Sequence, residues 1–275
     1  EHPQIDFSID MKVIDSNVDR YVLTIEDEDG NLVDGTNPLK AGREFTMVVT
    51  AVDDGDLTVQ NYAGMRVLVI DEENAGVSEL GMGFDPPAAD QNVNEFNFVD
   101  GIARLEGAKL NRALDPGDLD VQLTVRDDTA TLTGLADLRV ELGEPRFLRV
   151  LKGAAGTDAT FQGSRNYQAT SSTDMYTHLY DEGGNHISVV TADWAYTGQP
   201  LGEAMVEPML ALEDPLNTGV YLASVTAKDH LKFIPQDATE ADTGALSVSY
   251  DTIAFGSPVT LTYNVEDITV LSSVP

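Results

Sequence analysis

Carboxylates near the ends of predicted strands are the side chains of this sequence best suited to chemistry. They lie in two short acidic turns and comprise Glu26, Asp27, Asp29, Asp53, Asp54 and Asp56. Calcium prefers hard oxygen ligands of this kind, and turns at one end of a β-sandwich can gather carboxylates from neighbouring loops. Neither turn has the ligand spacing of an EF-hand, with its glutamate at the twelfth position. We interpret Asp27, Asp29, Asp53, Asp54 and Asp56 as candidate calcium ligands, with solvated acidic turns as the alternative.

Two of the four histidines offer a second candidate metal site. No histidine pair has the H-x-x-x-H or H-E-x-x-H spacing that places two imidazoles on one helical face. His178 and His186 instead flank a predicted turn at Gly183. A hairpin there would bring both rings together and let them share a metal with Asp181. Solvated strand histidines are the alternative.

Motifs typical of nucleophilic catalysis are missing from the sequence. It contains no cysteine and no G-x-S-x-G motif around a serine. The carboxylates are too numerous for any one acid–base pair to be singled out. We therefore predict no catalytic residues, no cofactor other than calcium, and no enzymatic activity.

Tyrosines could form a platform on which a sugar ring stacks. The candidates are Tyr62, Tyr176, Tyr180, Tyr196 and Tyr221. Aromatic residues make up only 7% of the chain, which is few for a dedicated carbohydrate-binding module. Packing in a hydrophobic core is the alternative for most of them.

Charge excludes several classes of partner. The 275 residues include 47 Asp and Glu against 16 Lys and Arg, a formal net charge of −31. Nucleic acids and anionic membranes would be repelled, because binding them requires a basic surface. Such a surface favours function at high ionic strength, so a salt-loving source fits, although many secreted proteins are simply acidic. We expect an extracellular or cell-surface protein whose signal peptide has been removed.

The elements that would position these residues read as short β-strands. Ala41 to Gly64 predicts a strand, an acidic turn and a second strand, since Phe45, Met47 and Val49 alternate with less apolar residues. Met65 to Ile70 predicts a central strand of a sandwich, and Ile5 to Met11 predicts a one-faced strand near the start of the chain. No segment predicts a convincing helix.

Strand-like segments fall into two blocks. Gly143-Glu144-Pro145 follows the last strand of a domain-sized segment, which makes it the predicted linker between residues 1–143 and 146–275. Each block contains about seven or eight strands at the spacing of antiparallel sandwiches. The turn Asp181 to Asn185 echoes the turn Asp27 to Asn31, which indicates related modules. Residues 75–92 and 200–215 predict long surface loops.

Leu246 to Tyr250 and Val259 to Val265 predict a closing hairpin with its turn at Gly256-Ser257-Pro258. Trp194, the only tryptophan, lies in an alternating strand from Val189 to Tyr196, and we expect it in the core.

The phrase AGREFTMVVTAVDDGD…VQNYAG, followed by LDPGDLDVQLTV and DLRVEL, resembles the bacterial immunoglobulin-like (Big-type) repeat domains of surface and adhesin proteins. The resemblance covers about residues 38–143, and residues 146–275 match it only in outline. It implies an all-β chain of two tandem immunoglobulin-like antiparallel β-sandwiches, with no catalytic residues to carry over.

These observations predict a non-enzymatic structural protein, used as a cell-surface, stalk, adhesin or fibre component. Its partners would be other copies of itself or other surface proteins. The alternative is a module that binds a glycan or calcium through the loops at 75–92 and 200–215, because long loops on a sandwich often carry function.

Overall fold

The structure is a computed structural model of the chain. It describes residues 17–79, 83–85, 95–127, 131–161, 166–168, 171–200, 212–216, 218, 221–222, 224–235, 242–254 and 256–271. These residues form β-strands joined by turns, and none of them lies in a helix. The described part accordingly holds no helix that is long and apolar enough to cross a membrane. The predicted all-β fold class is confirmed.

The described residues of the first block form ten strands. They are β1 (Arg20–Asp27), β2 (Leu39–Lys40), β3 (Glu44–Val52), β4 (Gly64–Glu73), β5 (Phe84–Asp85), β6 (Glu95–Phe98), β7 (Ile102–Leu110), β8 (Val121–Asp127), β9 (Thr133–Leu138) and β10 (Val140–Glu141). Two antiparallel sheets of order β1-β3-β7-β5 and β6-β4-β8-β9 contain most of them, and β2 pairs with β10 in parallel. Strand β9 lies beside β1, and β6 lies beside β7.

The second block contains the remaining strands. They are β11 (Pro145–Leu151), β12 (Asn166–Gln168), β13 (Thr173–Asp181), β14 (His186–Val189), β15 (Ala192–Pro200), β16 (Leu212–Glu213), β17 (Tyr221–Leu222), β18 (Ser224–Lys228), β19 (His230–Phe233), β20 (Asp242–Ala254) and β21 (Ser257–Leu271). One sheet has the order β11-β13-β19-β16-β17, with β14 also paired to β13, and the other has the order β12-β21-β20-β15-β18.

The alternation predicted for β3 is present. Phe45, Met47 and Val49 are buried and face the core, where they meet the buried side chains of β1. The pairing of β7 with β3 contains a bulge, where the register shifts between Phe45 and Met47. The alternation of buried side chains continues on both sides of it. Gly107 has a positive φ of 82° at this place, a conformation that glycine adopts without the strain of a Cβ.

The prediction for the strand after the acidic turn at Asp53 is wrong. The chain folds back only briefly: Val52 and Thr58 form an isolated bridge, and the Val59 N–H donates to the Ala51 carbonyl at 2.9 Å. A turn then follows, in which the Tyr62 N–H donates to the Val59 carbonyl at 2.9 Å. Competing turn bonds thus replace the second strand of the predicted hairpin.

Strand β4 is longer and more exposed than Met65 to Ile70 predicts. It continues through the three acidic residues 71–73 and ends at Glu73, directly before Asn74, which has a positive φ of 64°. Met65 and Val67 face solvent, and only Leu68 of this strand is fully buried. The predicted central position is present, since β4 pairs with both β6 and β8, but its apolar run spans both faces of a sheet with only one face in the core.

The predicted closing hairpin is present in the second block. Strands β20 and β21 pair antiparallel along their length, with Ala254 opposite Ser257 at the tip. Gly256 has a positive φ of 71° at the turn. The predicted strands Leu246 to Tyr250 and Val259 to Val265 lie inside this longer hairpin.

Buried hydrophobic side chains form two clusters. The first runs from Tyr21 to Val140 and the second from Leu148 to Ile268. Both sheets of each block contribute to its cluster, which is how β-sandwiches are built. The division into two immunoglobulin-like domains at 143/146 stays a prediction.

Candidate functional site

The acidic turn Asp27 to Asn31 closes β1 and is organised by one side chain. The Asp27 carboxylate accepts hydrogen bonds from the backbone N–H of Asp29 at 3.0 Å and of Asn31 at 2.8 Å. The side-chain amides of Asn31 and Asn37 also donate to it. Burial alone would raise the pKa of Asp27, but these hydrogen bonds outweigh it and hold the pKa below its ordinary value. The Asp27 carboxylate therefore stabilises the turn that carries it.

A groove borders this turn. It encloses about 440 Å³ between the turn, the start of β3 and the middle of β7. Its lining carries six acidic residues and one arginine, namely Glu26, Asp27, Glu28, Asp29, Glu44, Glu106 and Arg104. Arg104 forms an ion pair with Glu26. The groove thus presents negative charge to solvent.

The second acidic turn lies at the other end of β1 and β3. Arg20 pairs with Val52 and Asp27 pairs with Phe45, so about seven residues, or roughly 23 Å of strand, separate the two turns. Asp53 is buried and accepts hydrogen bonds from the N–H groups of Gly55 at 3.0 Å and Leu57 at 2.8 Å.

The other predicted calcium ligands are divided between the two turns. Asp56 forms an ion pair with Arg20, Asp54 is exposed next to Asp53, and Asp29 is exposed beside Asp27. Across the described ranges, no three His, Cys, Asp or Glu side chains form a group that could hold a metal ion. The five aspartates do not converge on one site, and calcium binding stays a prediction.

The structure brings the two predicted histidines together. His178 Nδ1 and His186 Nε2 lie 3.0 Å apart, and His178 Nε2 lies 2.9 Å from the Gly153 carbonyl oxygen. The carbonyl can only accept, so His178 Nε2 carries a hydrogen and its Nδ1 accepts from His186 when both rings are neutral. Burial most strongly lowers the pKa of His178; the Gly153 carbonyl opposes this, His186 lowers the pKa further, and Asp158 opposes it again.

Asp181 does not join the histidines as the predicted third ligand. It is fully buried, with 0% exposure, and its carboxylate accepts hydrogen bonds from the Asn185 backbone N–H at 2.7 Å and the Asn185 side-chain amide at 2.9 and 3.0 Å. The same carboxylate accepts from the Gly143 N–H at 2.9 Å. These bonds occupy Asp181 in the junction between the two blocks.

At that junction, buried polar side chains form several hydrogen bonds. The Asn185 side chain, 7% exposed, donates to the Asn111 carbonyl at 2.6 Å and accepts from the Ala113 N–H at 2.9 Å. Asn111 follows β7 of the first block, whereas Asn185 belongs to the turn after β13 of the second. One side chain of the second block thereby satisfies two backbone groups of the first.

Glycines allow the two blocks to approach this closely. A Cβ on Gly42 would lie 2.3 Å from the Gly183 nitrogen, and a Cβ on Gly183 would lie 2.3 Å from the Asn111 carbonyl oxygen. Gly143 sits equally tightly, since a Cβ there would lie 2.5 Å from the Ala41 carbonyl oxygen. The predicted linker is therefore packed into the junction.

The turns Asp27 to Asn31 and Asp181 to Asn185, which are similar in sequence, also share hydrogen bonds. Asp181 N–H donates to the Asn185 carbonyl at 3.0 Å, and Asp27 N–H donates to the Asn31 carbonyl at 2.9 Å. Both aspartates also accept from the asparagine four residues later. The first turn is exposed and has Asp29 where the second has Gly183. Sequence reasoning detected the echo but missed the junction, because nothing local indicates which copy is docked.

The tyrosines do not form one platform. Tyr180 and Tyr196 are buried, and the Tyr180 hydroxyl donates to the Gly156 carbonyl at 2.7 Å. Tyr62 is half-buried against Phe98 with ring centroids 4.8 Å apart. Tyr176 stacks on His230 at 4.1 Å. The side chain of Tyr221 lies outside the described residues.

The two predicted loops are only partly described. Residues 80–82, 86–92, 201–211 and the strand Ile5 to Met11 lie outside the described residues. In the described part of the first loop, Ala75 and Ser78 are buried.

Comparison with known proteins gives no family for this chain: no protein-family model and no curated protein matches it.

Proposed function

We propose that the chain is a non-enzymatic extracellular structural protein, used as a cell-surface, stalk, adhesin or fibre component. In this proposal residues 1–143 and 146–275 are two immunoglobulin-like β-sandwich domains. The partners are other copies of the chain or other surface proteins. The net charge of −31 supports a salt-rich setting, where salt screens the repulsion between carboxylates. The same charge disfavours nucleic acids and anionic membranes as partners.

The interlocked junction is the observation that carries the proposal. A stalk or fibre must hold successive domains at a fixed angle, whereas a flexible linker lets them rotate. Asp181 and Asn185 bond to backbone groups of Gly143, Asn111 and Ala113, all of them on the far side of the junction from the turn. Both side chains are buried, and the glycine contacts around them leave no room for a further side chain.

Small-angle X-ray scattering tests the rigidity that the proposal requires. We expect one sharp distribution of interatomic distances for the unmodified chain, unchanged between about 0.15 M and about 1 M NaCl. Gly183→Ala should broaden that distribution, because its Cβ would overlap the Asn111 carbonyl oxygen. Asp29→Ala, at the matching position of the exposed turn, is the control and should leave it unchanged. Scattering from two freely rotating domains in the unmodified chain would contradict the proposal.

The acidic groove favours a second candidate function, a module that binds a cation or a glycan. In this reading the groove beside Asp27 and the loops at 75–92 and 200–215 hold the ligand. A glycan array and calorimetric titration with calcium separate the two functions. Selective sugar binding, or saturable calcium binding that Asp29→Ala weakens, would replace the structural function with a ligand-binding one.

A further inference from the structure

The histidine pair lies against a loop that it holds in place. The loop of residues 152–159, between β11 and β12, is closed at its base by a hydrogen bond from the Lys152 N–H to the Ala159 carbonyl at 2.9 Å. His178 donates to the Gly153 carbonyl at 2.9 Å, and Tyr180 donates to the Gly156 carbonyl at 2.7 Å. Gly156 packs on the His186 ring so closely that a Cβ there would lie 2.6 Å from it.

The geometry of the pair admits no more than one added proton. His178 Nε2 keeps its hydrogen for Gly153, so a proton on His178 must reside at Nδ1, which faces His186 Nε2 at 3.0 Å. With one proton added, His186 can change tautomer and accept from His178. With two added, both facing nitrogens carry hydrogens and both rings are positive, so the bond between them is lost and the charges repel.

Neighbouring groups act in both directions on this proton. Arg149 lies opposite His178 in the pairing of β11 with β13, so both side chains are on the same face of the sheet. The electrostatic effect of His186 disfavours protonation of His178. Asp158, in the loop itself, favours protonation. Tyr180 stays neutral, because burial and then the Glu79 carboxylate raise its pKa to about 12, against the opposing effect of Arg149. Because His178 is fully buried, a positive charge on its ring raises the free energy of the closed state.

We propose that His178 and His186 form a pH-sensitive latch that holds the loop of residues 152–159 at neutral pH and releases it in acid. In the released loop, the burial that lowers the pKa of His178 is relieved, and the pKa returns to its ordinary value of 6.5. The closed state binds fewer protons, so its stability is present above about pH 6.5 and declines as the pH falls below that value. The latch does not depend on the proposed structural function.

Hydrogen–deuterium exchange of the full chain measures the opening. After correction for the intrinsic exchange rate, the peptide covering residues 152–159 should lose about tenfold in protection per pH unit for each coupled proton, between about pH 6.5 and about pH 5. Peptides from β3 and β8 of the first block should change far less. Equal loss of protection in both blocks, or none in the loop, would overturn the latch.

Substitution identifies the titrating pair. In His186→Gln the side-chain amide can donate to neutral His178 or accept from protonated His178, so the loop should stay protected at about pH 5. His230→Gln removes a histidine that contacts Asp174 and Tyr176 instead, and the acid response should remain. If His186→Gln does not fold, nuclear magnetic resonance of the unmodified chain replaces it: the His178 ring should stay neutral to a pH below its ordinary titration range, and titration of His178 at the ordinary value would overturn the latch.

Discussion

Asn185 and Asn31 are the same residue type in the same kind of turn, yet their surroundings differ. Each donates its side-chain amide to the aspartate four residues earlier. Asn31 is exposed, whereas Asn185 also satisfies the Asn111 carbonyl and the Ala113 N–H across the junction. The energetic role of an asparagine here is decided by what lies beyond the turn.

We predict that Asn185→Ala lowers the free energy of unfolding by about 2–3 kcal/mol, because it leaves two backbone groups at the junction without partners. Asn31→Ala should cost about 0.5 kcal/mol or less, since water replaces the lost bonds in an exposed turn. Chemical denaturation followed by circular dichroism measures both. Equal losses for the two variants would mean that the junction bonds contribute nothing beyond those of the turn.

Strand β9 lies against β1 at a glycine, and this contact brings the edges of the two sheets of the first block together. A Cβ on Gly134 would lie 3.0 Å from both the Cβ and the carbonyl oxygen of Tyr21. Tyr21 is buried and continues the contact inward through Phe98, at 5.9 Å between ring centroids. The close packing of β1 on β9 therefore requires a glycine at position 134.

We predict that Gly134→Ala destabilises the chain by about 1–3 kcal/mol, because the added methyl must displace the backbone of β1. Gly35→Ala is the matched control: its Cβ would meet no atom within 4 Å, and the change should stay within about 0.5 kcal/mol. Thermal unfolding of both variants tests this. A Gly134→Ala chain as stable as the unmodified one would show that β1 and β9 can separate at no cost.

At the scale of the whole molecule, the junction should couple the two hydrophobic clusters. Trp194 is the only tryptophan of the sequence and is 1% exposed within the second cluster, where its Nε1–H donates to the Lys228 carbonyl at 2.7 Å. Its fluorescence therefore reports unfolding of the second block. Leu123 lies fully buried in the first cluster.

We predict that Leu123→Ala, which should destabilise the first block by about 2–5 kcal/mol, also lowers the midpoint of the Trp194 transition. The reason is that the second block loses its junction contacts once the first block unfolds. The shift should shrink in an Asn185→Ala background, and Leu135→Ala on the exposed face of β9 should produce none. If Leu123→Ala left the midpoint of the Trp194 transition unchanged, the stabilities of the two blocks would not be coupled through the junction.

The net charge of −31 predicts that stability rises with salt. Repulsion between carboxylates is strongest at low ionic strength, and the Debye length falls from about 30 Å at 0.01 M to about 3 Å at 1 M. The melting temperature should rise across that range. A flat or falling melting temperature would show that repulsion between carboxylates contributes little to stability. If a few millimolar calcium alone gave the full rise in melting temperature, the effect would be assigned to calcium binding at the carboxylate turns.

The sequence by itself determined the all-β class and the position of most strands. Period-two alternation is a local property, so Phe45, Met47 and Val49 revealed their strand without knowledge of any partner. Turn chemistry is equally local, which is why Gly256 and the two Asp-to-Asn turns were recognisable. Burial of Trp194 followed from its size and its place in an alternating strand.

Only the tertiary structure decided which of these local features meet. The apolar run from Met65 to Ile70 indicated a central strand, but not that Met65 and Val67 would lie on a sheet face that the described chain leaves uncovered. His178 and His186 meet where the register of β13 with β14 shifts, with their nitrogens 3.0 Å apart, and the Asp181 carboxylate bonds to the Gly143 N–H instead of approaching them. Contacts between residues about 70 positions apart, such as Asn185 with Asn111, depend on how whole sheets pack, and no local pattern encodes that packing.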